Sequence, residues 1–131
     1  NLGRQLAYHQ RFLREAAKSS PRIEIVWNMG EVRRSLQFVM DHAPQADART
    51  TVAVAARIFT RTEDEETRRL CLNCLYRMNN ETAKTALVRI SRDVKIDRQW
   101  RDLSTEYLRL AVREEQRIAP SDARAIAGGI E

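Results

Sequence analysis

A chain of 131 residues, 43% apolar and 31% charged, is long enough to bury one core without staples, too apolar to stay disordered and too polar to live in lipid. Only 4 Gly and 3 Pro, with many Arg, Glu, Leu and Ala, favour helix throughout and exclude a sheet protein. The formal charge of +5, from 23 Lys and Arg against 18 Asp and Glu, permits acidic partners without demanding them.

Leu2, Leu6, His9, Leu13 and Ala16 recur at helical spacing and predict a first helix running to about Lys18. Ser19-Ser20-Pro21 then offers a cap followed by Pro at the first helical position, so a second helix is expected to carry Ile23, Val26, Trp27 and Met29 and to stop at Gly30. A third starts at Glu31 with Val32, Leu36, Val39 and Ala43 on one face, and ends at Ala43-Pro44. Asp47 caps a fourth, whose apolar positions are Val52, Ala55, Ala56 and Phe59. Thr62 and Glu65 read as a Thr-x-x-Glu capping box, with Glu63, Asp64 and Glu66 suiting the positive end of the helix dipole.

The fifth helix has Leu70, Cys71, Cys74, Leu75 and Met78 on one stripe and Leu72 and Tyr76 on a second flank, so it should be buried on two sides. Asn79-Asn80 supplies a tight turn, and Ala83, Ala86, Leu87 and Ile90 line a sixth helix. Asp97 caps a long seventh with Trp100, Leu103, Tyr107 and Leu110 inward. Pro120-Ser121 opens a final short segment ending at Gly128-Gly129. No linker long enough to separate domains occurs, so residues 1–131 are expected to form a single all-α domain of about seven or eight helices.

The longest uninterrupted apolar stretch, Val52 to Ala56, is far short of the roughly 18 residues of a membrane span, so no membrane insertion is expected. The start, Asn1-Leu2-Gly3-Arg4, has neither an initiator Met nor a signal-peptide pattern, and suggests a piece cut from a longer protein. Cys71 and Cys74 lie inside an apolar stripe, far in sequence from His9 and His42, and read as buried small hydrophobes rather than metal ligands. Reduced thiols favour a cytoplasmic setting. Nothing in the residue pattern supplies a nucleophile with a base and an orienting group, or a Gly-rich phosphate loop. No catalytic residue, metal or cofactor is therefore assigned.

The stretch Arg68 to Asp93, RRLCLNCLYRMNNETAKTALVRISRD, resembles a HEAT-repeat unit of the bacterial, phycobilisome-lyase-like type. Arg68, Leu70, Cys71, Cys74, Leu75 and Met78 occupy the first helix of such a unit, Asn79-Asn80 its turn, and Ala83, Ala86 and Leu87 its second helix. A weaker copy aligns Val26-Trp27-Asn28-Met29-Gly30 with Leu75-Tyr76-Arg77-Met78-Asn79. The resemblance implies an α-α superhelix, a solenoid of helical hairpins; repeats of about 40–47 residues would fit about three times in this length.

Such arrays bind macromolecules on long exposed faces, and a non-catalytic scaffold for a protein partner is the expected function. The outward line of the third helix, Arg34, Phe38 and Asp41, and that of the sixth, Glu81, Lys84, Thr85, Val88 and Arg92, are the expected binding residues. Phe38 either packs on the adjoining repeat or anchors a ligand. The alternative partner is nucleic acid, on the basic set Lys84, Arg89, Arg92, Lys95, Arg98 and Arg101, although Asp93, Asp97 and Asp102 interrupt it.

Overall fold

Five helix starts are set by a short polar side chain. In the computed structural model, which describes residues 1–130 and the side chains of residues 1–117, Asn1, Asn28, Asp47, Asp64 and Asn80 each accept a hydrogen bond from the backbone N–H three residues on. Each bond satisfies one of the donors that a first helical turn leaves without an internal partner. The helices so opened are α1 (Leu2–Ala17), α2 (Met29–Asp41), α3 (Ala48–Arg61), α4 (Glu65–Met78) and α5 (Glu81–Arg92); α6 spans Arg98–Ile130. Short 3-10 turns at Ile23–Ile25 and Ala43–Gln45 complete the set, and no strand occurs among the described residues.

Among the described residues, six α-helices thus replace the expected seven or eight. The helix expected from Pro21 to Gly30 is reduced to the turn Ile23–Ile25, because Asn28 takes an extended backbone and caps α2 one residue before Met29. Gly30 is therefore not a stop but a first-turn residue, where a Cβ would come within 3.0 Å of Asn28 Oδ1. The internal copy built on this segment also falls: Val26 is 68% exposed, whereas Leu75, its counterpart, is fully buried. At the α3–α4 turn the cap is Asp64 rather than Thr62. Thr62 ends α3 in extended backbone, and its Oγ1 accepts from Asp64 N–H at 3.1 Å. The carboxylate of Asp64 takes the N–H of Thr67 at 3.1 Å and Arg33 Nη1 at 2.6 Å, more than a threonine hydroxyl could satisfy. The long seventh helix and the short terminal segment expected after it are one helix, α6; side chains there beyond residue 117 lie outside the described residues.

The most extensive packing joins sequence neighbours: α1 with α2, α3 with α4, and α5 with α6. Between these hairpins α1 packs on α3 and α3 on α5, while α2 packs on α4 and α4 on α6. Two rows of helices therefore run through the molecule, α1-α3-α5 and α2-α4-α6. The Arg68–Asp93 hairpin is present as α4 and α5, but α4 packs more extensively on α3, and α5 on α6, than the two pack on each other.

α4 is the helix with most neighbours, touching α2, α3, α5 and α6, and its Cys71, Leu72, Cys74 and Leu75 are fully buried. This is the two-sided burial that its pattern predicts. One continuous core joins Leu13 and Ala16 of α1, Leu36 and Val39 of α2, Ile58 and Phe59 of α3, these α4 residues, Leu87 of α5 and Trp100 of α6. Trp100 meets the Phe59 ring edge-on, with centroids 6.1 Å apart. No helix among the described residues is long and apolar enough to cross a membrane.

Candidate functional site

The α2 line divides between two environments. Phe38 is half-buried between His9 of α1 and His42, the residue that ends α2, each ring centroid 4.4 Å away, so it packs on the neighbouring helix rather than standing out as an anchor. Arg34 and Asp41 are exposed. Arg34 borders a small hollow with Tyr8, His9, Phe12, Glu31 and Ser35, and Asp41 accepts from Gln37 Nε2 at 2.8 Å.

The α5 line is largely occupied with its own fold. Lys84 bonds Glu115 of α6 and lies 3.8 Å from Glu81, and the Glu115 hydrogen bond holds its ammonium above the ordinary lysine range. Thr85 Oγ1 donates to the Glu81 carbonyl at 2.9 Å. Val88 is half-buried and Arg92 exposed. Among the described residues no hydrogen bond, ion pair or ring contact joins the α2 line to the α5 line, and the two helices belong to different rows.

The basic set is likewise broken up. Arg98 is engaged by Asp102 at 3.5 Å and Arg101 donates to the Ile96 carbonyl at 2.9 Å. That leaves Arg89, Arg92 and Lys95 exposed.

Folding also brings together groups that sequence spacing did not connect. His9 Nδ1 and Ser35 Oγ share a hydrogen bond of 2.8 Å across α1 and α2. A serine beside an imidazole invites comparison with a nucleophile and its base. Ser35, however, is 4% exposed in the middle of α2, where the surrounding N–H groups are committed to the helix and none is free to hold an oxyanion. The pair serves to satisfy a buried hydroxyl, and burial lowers the pKa of His9.

A cleft of about 530 Å³ lies between the α3–α4 turn and the α5–α6 loop, lined by Phe59, Arg68, Ile96 and Trp100 with Glu63, Glu65, Asp93, Lys95 and Asp97 around it. Its interior cation is in use: Arg68 Nε donates to the Thr62 carbonyl at 2.7 Å, and its guanidinium lies 5.4 Å from the Phe59 ring centre. Glu63 is tied to Arg22 at 2.8 Å. Among the described residues no group of three His, Cys, Asp or Glu is placed to hold a metal ion.

A second groove runs between α4 and α6. Tyr76, on its edge, stacks on Tyr107 of α6, centroids 4.8 Å apart and planes 16° from parallel. Asn73 Nδ2 donates to the Tyr107 hydroxyl at 3.2 Å, and burial, ahead of a lesser opposing effect of that bond, raises the Tyr107 pKa. Leu110, Arg113, Glu114 and Arg117 form the far wall. Arg69, over the Trp100 ring at 5.9 Å, and Arg77 are exposed on the same α4 stripe as Asn73 and Tyr76. Sequence spacing put Tyr76 on a second apolar flank of α4 and Tyr107 on the inner side of its helix; both are half-buried. The stacking of two tyrosines 31 positions apart depends on how α4 and α6 pack, which no local pattern encodes.

Comparison with protein families, curated proteins and solved structures finds no match to this chain.

Proposed function

We propose that the chain is a non-catalytic scaffold of helical-repeat type that binds another protein, its three hairpins stacking as a short α-α superhelix related to HEAT arrays. The observation that carries this reading is the packing in two rows, α1-α3-α5 and α2-α4-α6. Stacking of that kind covers the inner faces and leaves the outer face of each row as one extended surface. The α2-α4-α6 row presents half-buried tyrosines and exposed arginines, the residue types that most often dominate protein interfaces.

A nucleic-acid reading keeps one specific support, the exposed and unpaired Arg89, Arg92 and Lys95, with Asp93 among them. Cross-linking of the chain in lysate from its native source, with and without nuclease, separates the two. The scaffold reading expects specific protein adducts that survive nuclease. Recovery of nucleic acid alone, with affinity falling steeply as salt rises, would replace it with the second reading.

A further inference from the structure

We infer that the face formed by the exposed stripe of α4 and the adjoining side of α6 is a docking site for an acidic segment of a partner protein, with the stacked Tyr76–Tyr107 pair at its centre and Arg69, Arg77 and Arg113 around the pair as its charge contacts. The inference rests on the protein-binding reading and adds the chemistry of the partner.

Two independent features meet on this face. The tyrosine rings are held before any ligand arrives, by their mutual stacking and by the Asn73 bond to the Tyr107 hydroxyl. An aromatic surface fixed in advance loses little side-chain freedom on binding. The charges around it are one-sided. Among the described residues, Arg69, Arg77 and Arg113 are exposed with no carboxylate within ion-pair distance; the hollow beside Tyr76 is lined by Arg113, Arg117 and one acid, Glu114, and Arg77 borders a separate hollow with Asp41. By contrast, Arg33 on the adjoining α2 is answered by Asp64 at 2.6 Å and Glu66 at 3.5 Å. A partner bringing carboxylates would therefore meet unanswered guanidinium groups around the stacked pair, the arrangement in which bidentate arginine–carboxylate contacts add specificity. The stacked rings cover each other's faces, so this surface offers little platform for the base stacking that single-stranded nucleic acid needs.

The test is selection of short random peptides on the whole chain, followed by titration of the enriched sequences against the wild type and the double variant Arg69→Glu/Arg113→Glu. Both positions are exposed, and helicity by circular dichroism verifies the fold; Arg77→Glu alone serves if the double variant fails to fold. Expected are peptides rich in Asp and Glu that bind about tenfold or more weakly to the variant, with affinity regained when their acids are replaced by Lys. Enrichment without an acidic excess, or acidic peptides whose affinity the variant leaves unchanged, would overturn the inference while leaving the scaffold reading standing. A selection that enriches nothing also overturns it, and the scaffold reading is then decided by cross-linking. Binding of a single-stranded RNA oligonucleotide that the same variant abolishes, in the absence of acidic-peptide binding, overturns it in favour of nucleic acid.

Discussion

Cys71 and Cys74 stand three residues apart on α4 with no exposed surface, and burial pushes the Cys74 thiol up to about 12 and that of Cys71 well above its usual range. The thiolate is the reactive form, so both residues behave as small core hydrophobes. Treatment of the native protein with a thiol reagent at mildly alkaline pH is expected to label neither, and denaturant to expose both together; fast labelling of native protein would contradict their placement. Arginine shows the opposite economy. Arg57 donates to the Ala17 carbonyl at 3.0 Å, Arg68 to Thr62 at 2.7 Å and Arg101 to Ile96 at 2.9 Å. Three arginines thus close carbonyls at helix ends and loops, a structural use of basic residues that a charge count reads as surface potential. The burial of both cysteines was legible from their place in an apolar stripe; the arginine bonds were not, because each partner lies on a segment brought near only by folding or by a turn.

At the scale of elements, caps and turns carry most of the local information. Asp47 and Asn80 act at the predicted positions, and Asn79 takes the left-handed conformation, φ 47°, that lets α4 end and the chain reverse. The α3–α4 turn departs by two residues because Asp64 has a second, tertiary partner in Arg33. Asp64→Ala removes the cap and leaves Arg33 with only Glu66, and is expected to cost about 1–2 kcal/mol. Asn79→Gly should be neutral or slightly stabilising, whereas Asn79→Ala should cost about 1 kcal/mol because a Cβ disfavours that backbone. Urea unfolding of the three variants checks both expectations, and an Asp64→Ala cost near zero would show that Thr62 can take over as cap. The segment 21–30 misled for a related reason. Its apolar residues look helical, but only Ile23 is fully buried; Trp27 and Met29 pack against the core half-buried, and Ile25 and Val26 remain exposed at 65% and 68%.

For the whole molecule, pH probes how the hairpins are joined. His9 links α1 to α2 and its folded pKa is lowered by burial. The unfolded chain therefore takes up this proton first, and stability declines as pH falls below about 6.5. A second decline belongs to the carboxylates. Burial alone would raise Glu24 and Asp64, but hydrogen bonds, from Glu63 N–H to Glu24 and from Thr67 to Asp64, leave both lowered. Their contribution is present above the ordinary carboxylate range near pH 4 and is lost as pH falls through the folded values. Unfolding midpoints measured from pH 8 to pH 3 should thus fall in two stages, and His9→Phe should flatten the upper one. A single decline confined to the acid end would show that His9 takes no part.

Local sequence pattern was enough for the helical class, most of the apolar stripes, two of the five caps, Asp47 and Asn80, and the central place of α4, because each depends on side chains within a turn or two of one another. Only the tertiary structure decided the rest: the pairing of hairpins, the removal of the second helix, the division of α2 and α5 between different rows, and the tyrosine pair that joins α4 to α6. These depend on which helical faces meet. An apolar stripe specifies that a face is buried, but many neighbours could bury it equally well, and the choice among them lies in packing and long-range polar contacts such as Arg33 to Asp64.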